Sequence, residues 1–203
     1  MKIIVIHLSD IHFRGEGGFA LTKVREIARA IRGIAPTVDD YIVVVTGDIA
    51  YSGKELQYRE ALDFIVDIQN SLKADRHVQS VYVAAVPGNH DCDFNLGGSA
   101  RDTLVNSFRS ETDLEKIDDS VITLCTDVQR NFFDFYELFH LNGISNPLCY
   151  VHKFPIADRE IAVRCINTAW ISREKEKQGA LWFPVDYAQR EDSEIAGCDL
   201  VIS

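Results

Sequence analysis

Cysteine is scarce in this sequence, and no two cysteines form a Cys-x-x-Cys pair. The five are scattered and odd in number: Cys92, Cys125, Cys149, Cys165 and Cys198. A disulfide framework needs paired cysteines and a zinc ribbon needs closely spaced ones, so the sequence argues against both. We therefore expect free thiols and a reducing compartment, the cytoplasm.

Basic residues are outnumbered, with 21 Lys and Arg against 31 Asp and Glu and a formal net charge of −10. A broad nucleic-acid-binding face needs clustered Lys and Arg, so this balance argues against one. It does not exclude a nuclease, because bound metal ions can supply positive charge locally.

Long apolar runs are missing as well. No run approaches the roughly 20 residues of a membrane span. The apolar stretch that follows Met1 is too short for the central region of a signal peptide. We expect no membrane association, and the sequence indicates no oligomeric state.

What is present is enough apolar sequence for one sizeable domain, 46% of 203 residues, which we take as residues 1–203. Its first part alternates strand and helix patterns, which favours a largely parallel sheet. The predicted strands are residues 2–8, 41–46 and 80–86, and the predicted helices lie near residues 21–33 and 56–72.

The pattern loosens after Cys92. Residues 94–148 are predicted to be an insertion or cap, which includes a strongly buried aromatic helix at residues 128–141. Two strand-like runs, residues 149–154 and 161–166, then predict a hairpin. A helix at residues 184–195 and a strand at residues 199–203 complete the expected elements.

Three short polar motifs follow the three predicted strands of the first part. They are Asp10-Ile11-His12, Gly47-Asp48 and Gly88-Asn89-His90-Asp91. Groups at the carboxyl ends of parallel strands gather at one edge of the sheet. Carboxylate, amide and imidazole ligands together suit Mn²⁺, Fe or Zn²⁺ better than Ca²⁺. Each motif alone is weak, since Asp10 could be a helix cap and Asp48 a turn residue.

Together, and in this order, the motifs resemble the D-x-H, G-D and G-N-H-[D/E] pattern of the calcineurin-like metallophosphoesterases. The resemblance implies a four-layer αββα sandwich and two divalent metal ions. It implies that Asp10 and His12 bind the first ion, Asp48 bridges both and Asn89 binds the second. His90 would act on the scissile phosphate as general acid or charge stabiliser, while hydroxide activated by the metals attacks phosphorus.

The chain departs from the family pattern beyond these motifs. The family takes further ligands from a later histidine and from a Gly-His-x-His motif, and neither is present. The remaining late histidines, His140 and His152, lie in the aromatic helix and in a hairpin strand. We therefore expect an amino-terminal portion of a longer sequence, truncated at its carboxyl end, and an incomplete domain.

Two functions follow from these observations. The first is a metal-dependent phosphoesterase, a hydrolase that acts as a phosphatase or phosphodiesterase on a small molecule, nucleotide, nucleic acid or phosphoprotein. The second is a catalytically deficient or regulatory domain that binds a partner, because ligands are missing. Among neighbouring residues, we expect Asp91 and Asp93 to be solvated or to stabilise loops, and His7 to pack within the first strand.

Overall fold

The computed structural model describes residues 2–17, 20–34, 38–140, 143–144, 146–176, 179–189 and 192–203. Gly18, Pro36 and Leu141, which the sequence predictions included, lie outside the described residues. Among the helices that are described, none is both long enough and apolar enough to span a membrane.

The first part of the chain forms a three-stranded parallel sheet with two helices. Its elements are β1 (Ile3–Leu8), α1 (Ala20–Ile34), β2 (Asp40–Thr46), α2 (Glu55–Lys73) and β3 (Ser80–Val86). The sheet order is β1-β2-β3. Ile3 pairs with Asp40 and Tyr41 pairs with Val81, so all three strands end at the same edge. The predicted parallel βαβαβ arrangement is confirmed.

Helices and a second sheet make up the rest. The helices α3 (Gly98–Ser107), α4 (Asp119–Thr126) and α5 (Arg130–Glu137) come first. The hairpin of β4 (Cys149–Ile156) and β5 (Arg159–Ile166) follows, and then α6 (Val185–Gln189), α7 (Asp192–Ile195) and β6 (Leu200–Ile202). The hairpin is antiparallel, and β6 pairs in parallel with β5. The predicted hairpin and final strand are confirmed.

The two sheets pack against each other across the outer edge of β3. The Tyr150 hydroxyl of β4 donates to the Ala85 carbonyl at 2.6 Å, and the Ala85 N–H donates to the Tyr136 hydroxyl of α5 at 3.1 Å. Tyr82 also stacks on Phe154 of β4, with ring centroids 4.7 Å apart. The hydroxyls of Tyr150 and Tyr136 pair with backbone groups of β3 that an edge strand would leave without a hydrogen bond. The fold is thus mixed α/β, with two three-stranded sheets and packed helices, as predicted.

One helical prediction needs correction. The aromatic helix is shorter than expected, because a 3-10 turn at Asp127–Gln129 precedes α5. Its buried rings, Phe132, Phe135 and Tyr136, follow helical spacing, whereas Leu138 lies off that stripe and is 63% exposed. Near the end, α6 and α7 both lie within the helix predicted at residues 184–195, and Arg190 and Glu191 between them lie outside the described residues.

The prediction that His7 packs within the first strand is also wrong. Because β1 is an edge strand, only Ile6 of its six residues is fully buried. The exposed His7 ring instead hydrogen bonds to the Thr46 hydroxyl at 2.6 Å.

Candidate metal centre

The loops that follow β1 and β2 run side by side beyond the ends of their strands. The His12 N–H donates to the Asp48 carbonyl at 2.9 Å, and the Phe13 N–H donates to the Ile49 carbonyl at 2.8 Å. The Tyr51 N–H returns to the Phe13 carbonyl at 3.0 Å. This ladder fixes the backbone of the first motif against the backbone of the second.

Three of the predicted ligands occupy an unusual backbone conformation. Asp10, His12 and Asp48 have φ values of 54°, 56° and 54°. Left-handed φ values are uncommon outside glycine, although Asp and His tolerate them better than most residues. Such strain persists only where surrounding contacts enforce it, and it clusters at functional sites. A fourth described non-glycine residue with positive φ, Ala157, lies in the turn between β4 and β5, and the other three lie in the sequence motifs.

Three side chains converge at this edge of the sheet. His12, Asp48 and His90 each offer a ligand atom, and these atoms lie within 4.8 Å of one another. All three residues are half-buried. The Nδ1 atom of His12 is buried and has no hydrogen-bond partner among the described residues. A buried nitrogen without a partner is unfavourable unless a ligand satisfies it, so this donor set fits a metal ion.

The other two predicted ligands are neighbours of this group in sequence. Asp10 is exposed, and its carboxylate accepts a hydrogen bond from the Ser9 hydroxyl. Its N–H donates to the Gly47 carbonyl at 3.3 Å, which places Asp10 on the same backbone ladder. Asn89 is half-buried and begins the 3-10 turn Asn89–Asp91, next to His90.

Glycine allows the second and third motifs to approach each other. A Cβ atom at position 88 would lie 2.1 Å from Oδ1 of Asp48, which is an overlap. Oδ1 of Asp48 instead accepts the His90 N–H at 3.0 Å. Gly47 has φ +88°, and a Cβ atom there would lie 2.9 Å from Cα of Gly88. The Gly residues of both motifs are therefore needed to seat the Asp48 carboxylate.

The His90 ring is oriented by the backbone of the second loop. Its Nδ1 lies 2.8 Å from the Tyr51 carbonyl oxygen. Since a carbonyl only accepts, Nδ1 carries a proton and Nε2 is left for a ligand or for proton transfer. The His12 and His90 rings meet edge to face, with centroids 4.5 Å apart.

Asp91 joins the loops that follow β2 and β3 to helix α2. It is fully buried, and its two oxygens accept from the N–H groups of Ile49 (3.2 Å), Ala50 (2.8 Å) and Gly88 (2.9 Å) and from the Tyr58 hydroxyl of α2 (2.9 Å). Burial raises the pKa of Asp91, and it raises the pKa of Tyr58 as well. The prediction that Asp91 stabilises loops fits these contacts, but the prediction that it is solvated is wrong. Its four partners come from three segments, so no local pattern indicated its burial.

Comparison with known proteins agrees with this geometry. The family model described as calcineurin-like phosphoesterase matches residues 3–183. The chain is also similar to the metallophosphoesterase-like protein YydB of Bacillus subtilis (strain 168), with 27% identity over 182 residues. That match covers 89% of this chain and 36% of YydB, so the chain spans about a third of the length of this relative. On these grounds the chain belongs to the calcineurin-like phosphoesterase family.

Proposed function

We propose that this protein is a metal-dependent phosphoesterase that hydrolyses a phosphomonoester or a phosphodiester. The observation that carries the proposal is the convergence of His12, Asp48 and His90 within 4.8 Å at the shared end of β1, β2 and β3. The buried Nδ1 of His12 lacks a partner, which supports metal binding at this convergence.

The proposed metal-binding residues are Asp10, His12, Asp48 and Asn89, with Asp48 shared between two divalent ions. Their mixed oxygen and nitrogen atoms suit Mn²⁺, Fe or Zn²⁺. When bound, such ions lower the pKa of water to about 7 and neutralise phosphate oxygens. Three of these residues have left-handed backbone just beyond the ends of β1 and β2.

His90 is proposed to act on the substrate. Its Nδ1–H is held by the Tyr51 carbonyl, which keeps the ring orientation fixed, so that Nε2 of the imidazolium form would donate a proton to the leaving oxygen. Replacing His90 with Gln should then slow esters with poor leaving groups far more than p-nitrophenyl esters, while Mn²⁺ affinity stays within about threefold. A large loss of Mn²⁺ affinity would show instead that His90 is a metal ligand.

The activity itself is tested with p-nitrophenyl phosphate and bis-p-nitrophenyl phosphate in the presence of Mn²⁺. We expect hydrolysis by the wild-type protein and its loss in Asp48→Asn. Asp134→Asn is the matched control, because Asp134 is an exposed carboxylate on α5 and belongs to none of the three motifs. Metal binding without hydrolysis, in this chain and in a carboxyl-extended version, would contradict the proposal.

A second candidate is a metal-binding domain that serves regulation or partner binding without catalysis. The observation that favours it is the placement of His140 and His152, whose rings stack on each other 3.8 Å apart rather than at the metal centre. They leave the second ion with only Asp48 and Asn89. Calorimetric detection of one Mn²⁺ ion per chain, without turnover, would support this candidate.

The helical region at residues 94–148 is proposed to cap the site. Its support is that it touches the site loops: the Asp93 N–H donates to the Val128 carbonyl at 2.7 Å, and the Asn131 amide donates to the Gly53 carbonyl at 2.8 Å.

The proposed location is the cytoplasm. All five cysteines are free thiols, which agrees with a reducing compartment.

A further inference from the structure

Arg14 makes a cation–π contact with the Tyr51 ring beside the candidate metal centre. Arg14 lies two residues beyond His12, and its Cζ is 4.3 Å from the centroid of the Tyr51 ring. The Tyr51 ring lies 6.2 Å from the His12 ring and 5.7 Å from the His90 ring, measured between centroids. One aromatic ring therefore connects the guanidinium to two residues of the site.

The guanidinium of Arg14 forms no ion pair within the part of the chain that the structure describes. Arg14 lines a cavity of about 340 Å³ together with His12 and Glu60. Oε2 of Glu60 already accepts the Gly15 N–H at 3.0 Å. Glu16 also lines this cavity and is exposed.

Stacking on an aromatic face restricts a guanidinium without using its N–H groups. The cation–π contact fixes the plane of Arg14, so its hydrogen-bond donors stay available for a planar or tetrahedral anion. Arginine binds phosphate oxygens through two parallel N–H···O bonds, which strengthen as the charge on those oxygens increases.

We propose that Arg14, held on the Tyr51 ring, binds the phosphoryl group of the substrate and makes the site selective for phosphomonoesters. The inference rests on the proposed phosphoesterase function. A monoester presents one more charged, unsubstituted oxygen than a diester. The Arg14 guanidinium would donate hydrogen bonds to that oxygen. In a diester that oxygen carries a second organic group, so the guanidinium finds no charged partner there.

The first test measures binding rather than turnover. Calorimetry with Mn²⁺ alone, and then with inorganic phosphate added to the Mn²⁺-loaded protein, compares wild type with Arg14→Ala, Arg14→Lys and the control Arg59→Ala. Arg59 is an exposed arginine of α2 that pairs with Glu55. We expect unchanged Mn²⁺ affinity in all four proteins. Phosphate binding should be about tenfold weaker in Arg14→Ala, less weakened in Arg14→Lys and unchanged in Arg59→Ala.

The second test separates the ring from the cation. Tyr51→Phe retains the aromatic face and should bind phosphate as wild type does, whereas Tyr51→Ala should resemble Arg14→Ala. The Tyr51 carbonyl that holds His90 remains in both variants. In kinetics, Arg14→Ala should lower kcat/KM about tenfold for p-nitrophenyl phosphate and less than about threefold for bis-p-nitrophenyl phosphate.

The outcomes distinguish this inference from the function beneath it. Equal phosphate binding by wild type, Arg14→Ala and Arg59→Ala in the presence of bound Mn²⁺ would overturn the role of Arg14 and leave the proposed function standing. Equal loss of both substrates would overturn the monoester selectivity. Failure of the wild-type protein to bind Mn²⁺ would overturn the proposed function and the inference with it.

Discussion

Replacing Asp91 with Asn should destabilise the protein through a single misplaced hydrogen-bonding group. Each carboxylate oxygen of Asp91 accepts two donors: Oδ1 from the Ala50 N–H and the Tyr58 hydroxyl, and Oδ2 from the N–H groups of Ile49 and Gly88. An amide nitrogen placed at the Oδ1 position can donate to the Tyr58 oxygen, since a hydroxyl can reverse its role. It cannot accept from Ala50, so one buried N–H loses its partner.

The magnitude follows from two opposing effects. Losing a hydrogen bond to a charged acceptor and burying an unpaired N–H together cost about 2–5 kcal/mol. Burial raises the pKa of Asp91, which means that the ionised form carries a desolvation penalty at neutral pH that Asn escapes. We expect a net loss of about 2 kcal/mol in the free energy of unfolding, or about 4–8 °C in Tm for a chain of this size.

Urea unfolding monitored by circular dichroism measures this loss, with Asp134→Asn as the control for removal of one carboxylate. Asp134 is exposed, so its substitution should stay within about 0.5 kcal/mol of wild type. Because Asp48 and His90 are attached to the segments that Asp91 ties together, Mn²⁺ affinity should fall as well. If Asp91→Asn unfolds at the same urea concentration as Asp134→Asn, the bracing role assigned to Asp91 is wrong.

Two further predictions concern packing and pH. Gly88→Ala should weaken Mn²⁺ binding at least about tenfold by calorimetry, because a Cβ there overlaps Oδ1 of Asp48; Gly33→Ala, on an open face of α1, is the matched control and should bind Mn²⁺ normally. Burial, and then the neighbouring His140 ring, lower the pKa of His152 to about 3 from an ordinary 6.5, so the unfolded chain binds more protons between these values. Through this residue, the free energy of unfolding is undiminished above about pH 6.5 and falls as the pH decreases toward 3. His152→Phe should flatten that fall in urea unfolding midpoints, while His77→Phe, at an exposed site, should not; an unchanged slope in His152→Phe would contradict the assignment.

The strands and the location of the site were predictable because both depend on local sequence. Apolar runs indicated β1, β2 and β3 within a residue or so of their observed ends, and parallel strands bring their carboxyl ends together by geometry alone. His12, Asp48 and His90 therefore lie near one another at that edge. The ends of helices depend instead on tertiary packing, which is why the helix predicted at residues 128–141 was longer than α5.

The supporting contacts could not be read from sequence in the same way. The partners of the buried Asp91 include Tyr58 of α2, which is 33 residues away in the sequence. The orientation of His90 comes from a backbone carbonyl, which no residue type identifies. The Arg14–Tyr51 contact likewise depends on the register between two loops, set by the ladder from Phe13 to Tyr51. Contacts of this kind combine segments that sequence patterns treat separately.

The left-handed backbone at the proposed ligands is held by contacts within the protein. A non-glycine residue in the left-handed region costs about 1–3 kcal/mol, with Asp and His nearer the lower value. Asp10, His12 and Asp48 each adopt it, backbone hydrogen bonds join the two loops that carry them, and the Asp91 carboxylate accepts from the neighbouring N–H groups of Ile49 and Ala50. If the proposed ligands bind an ion, contacts that already fix their backbone reduce the free energy spent on arranging the loops, and more of it appears as affinity.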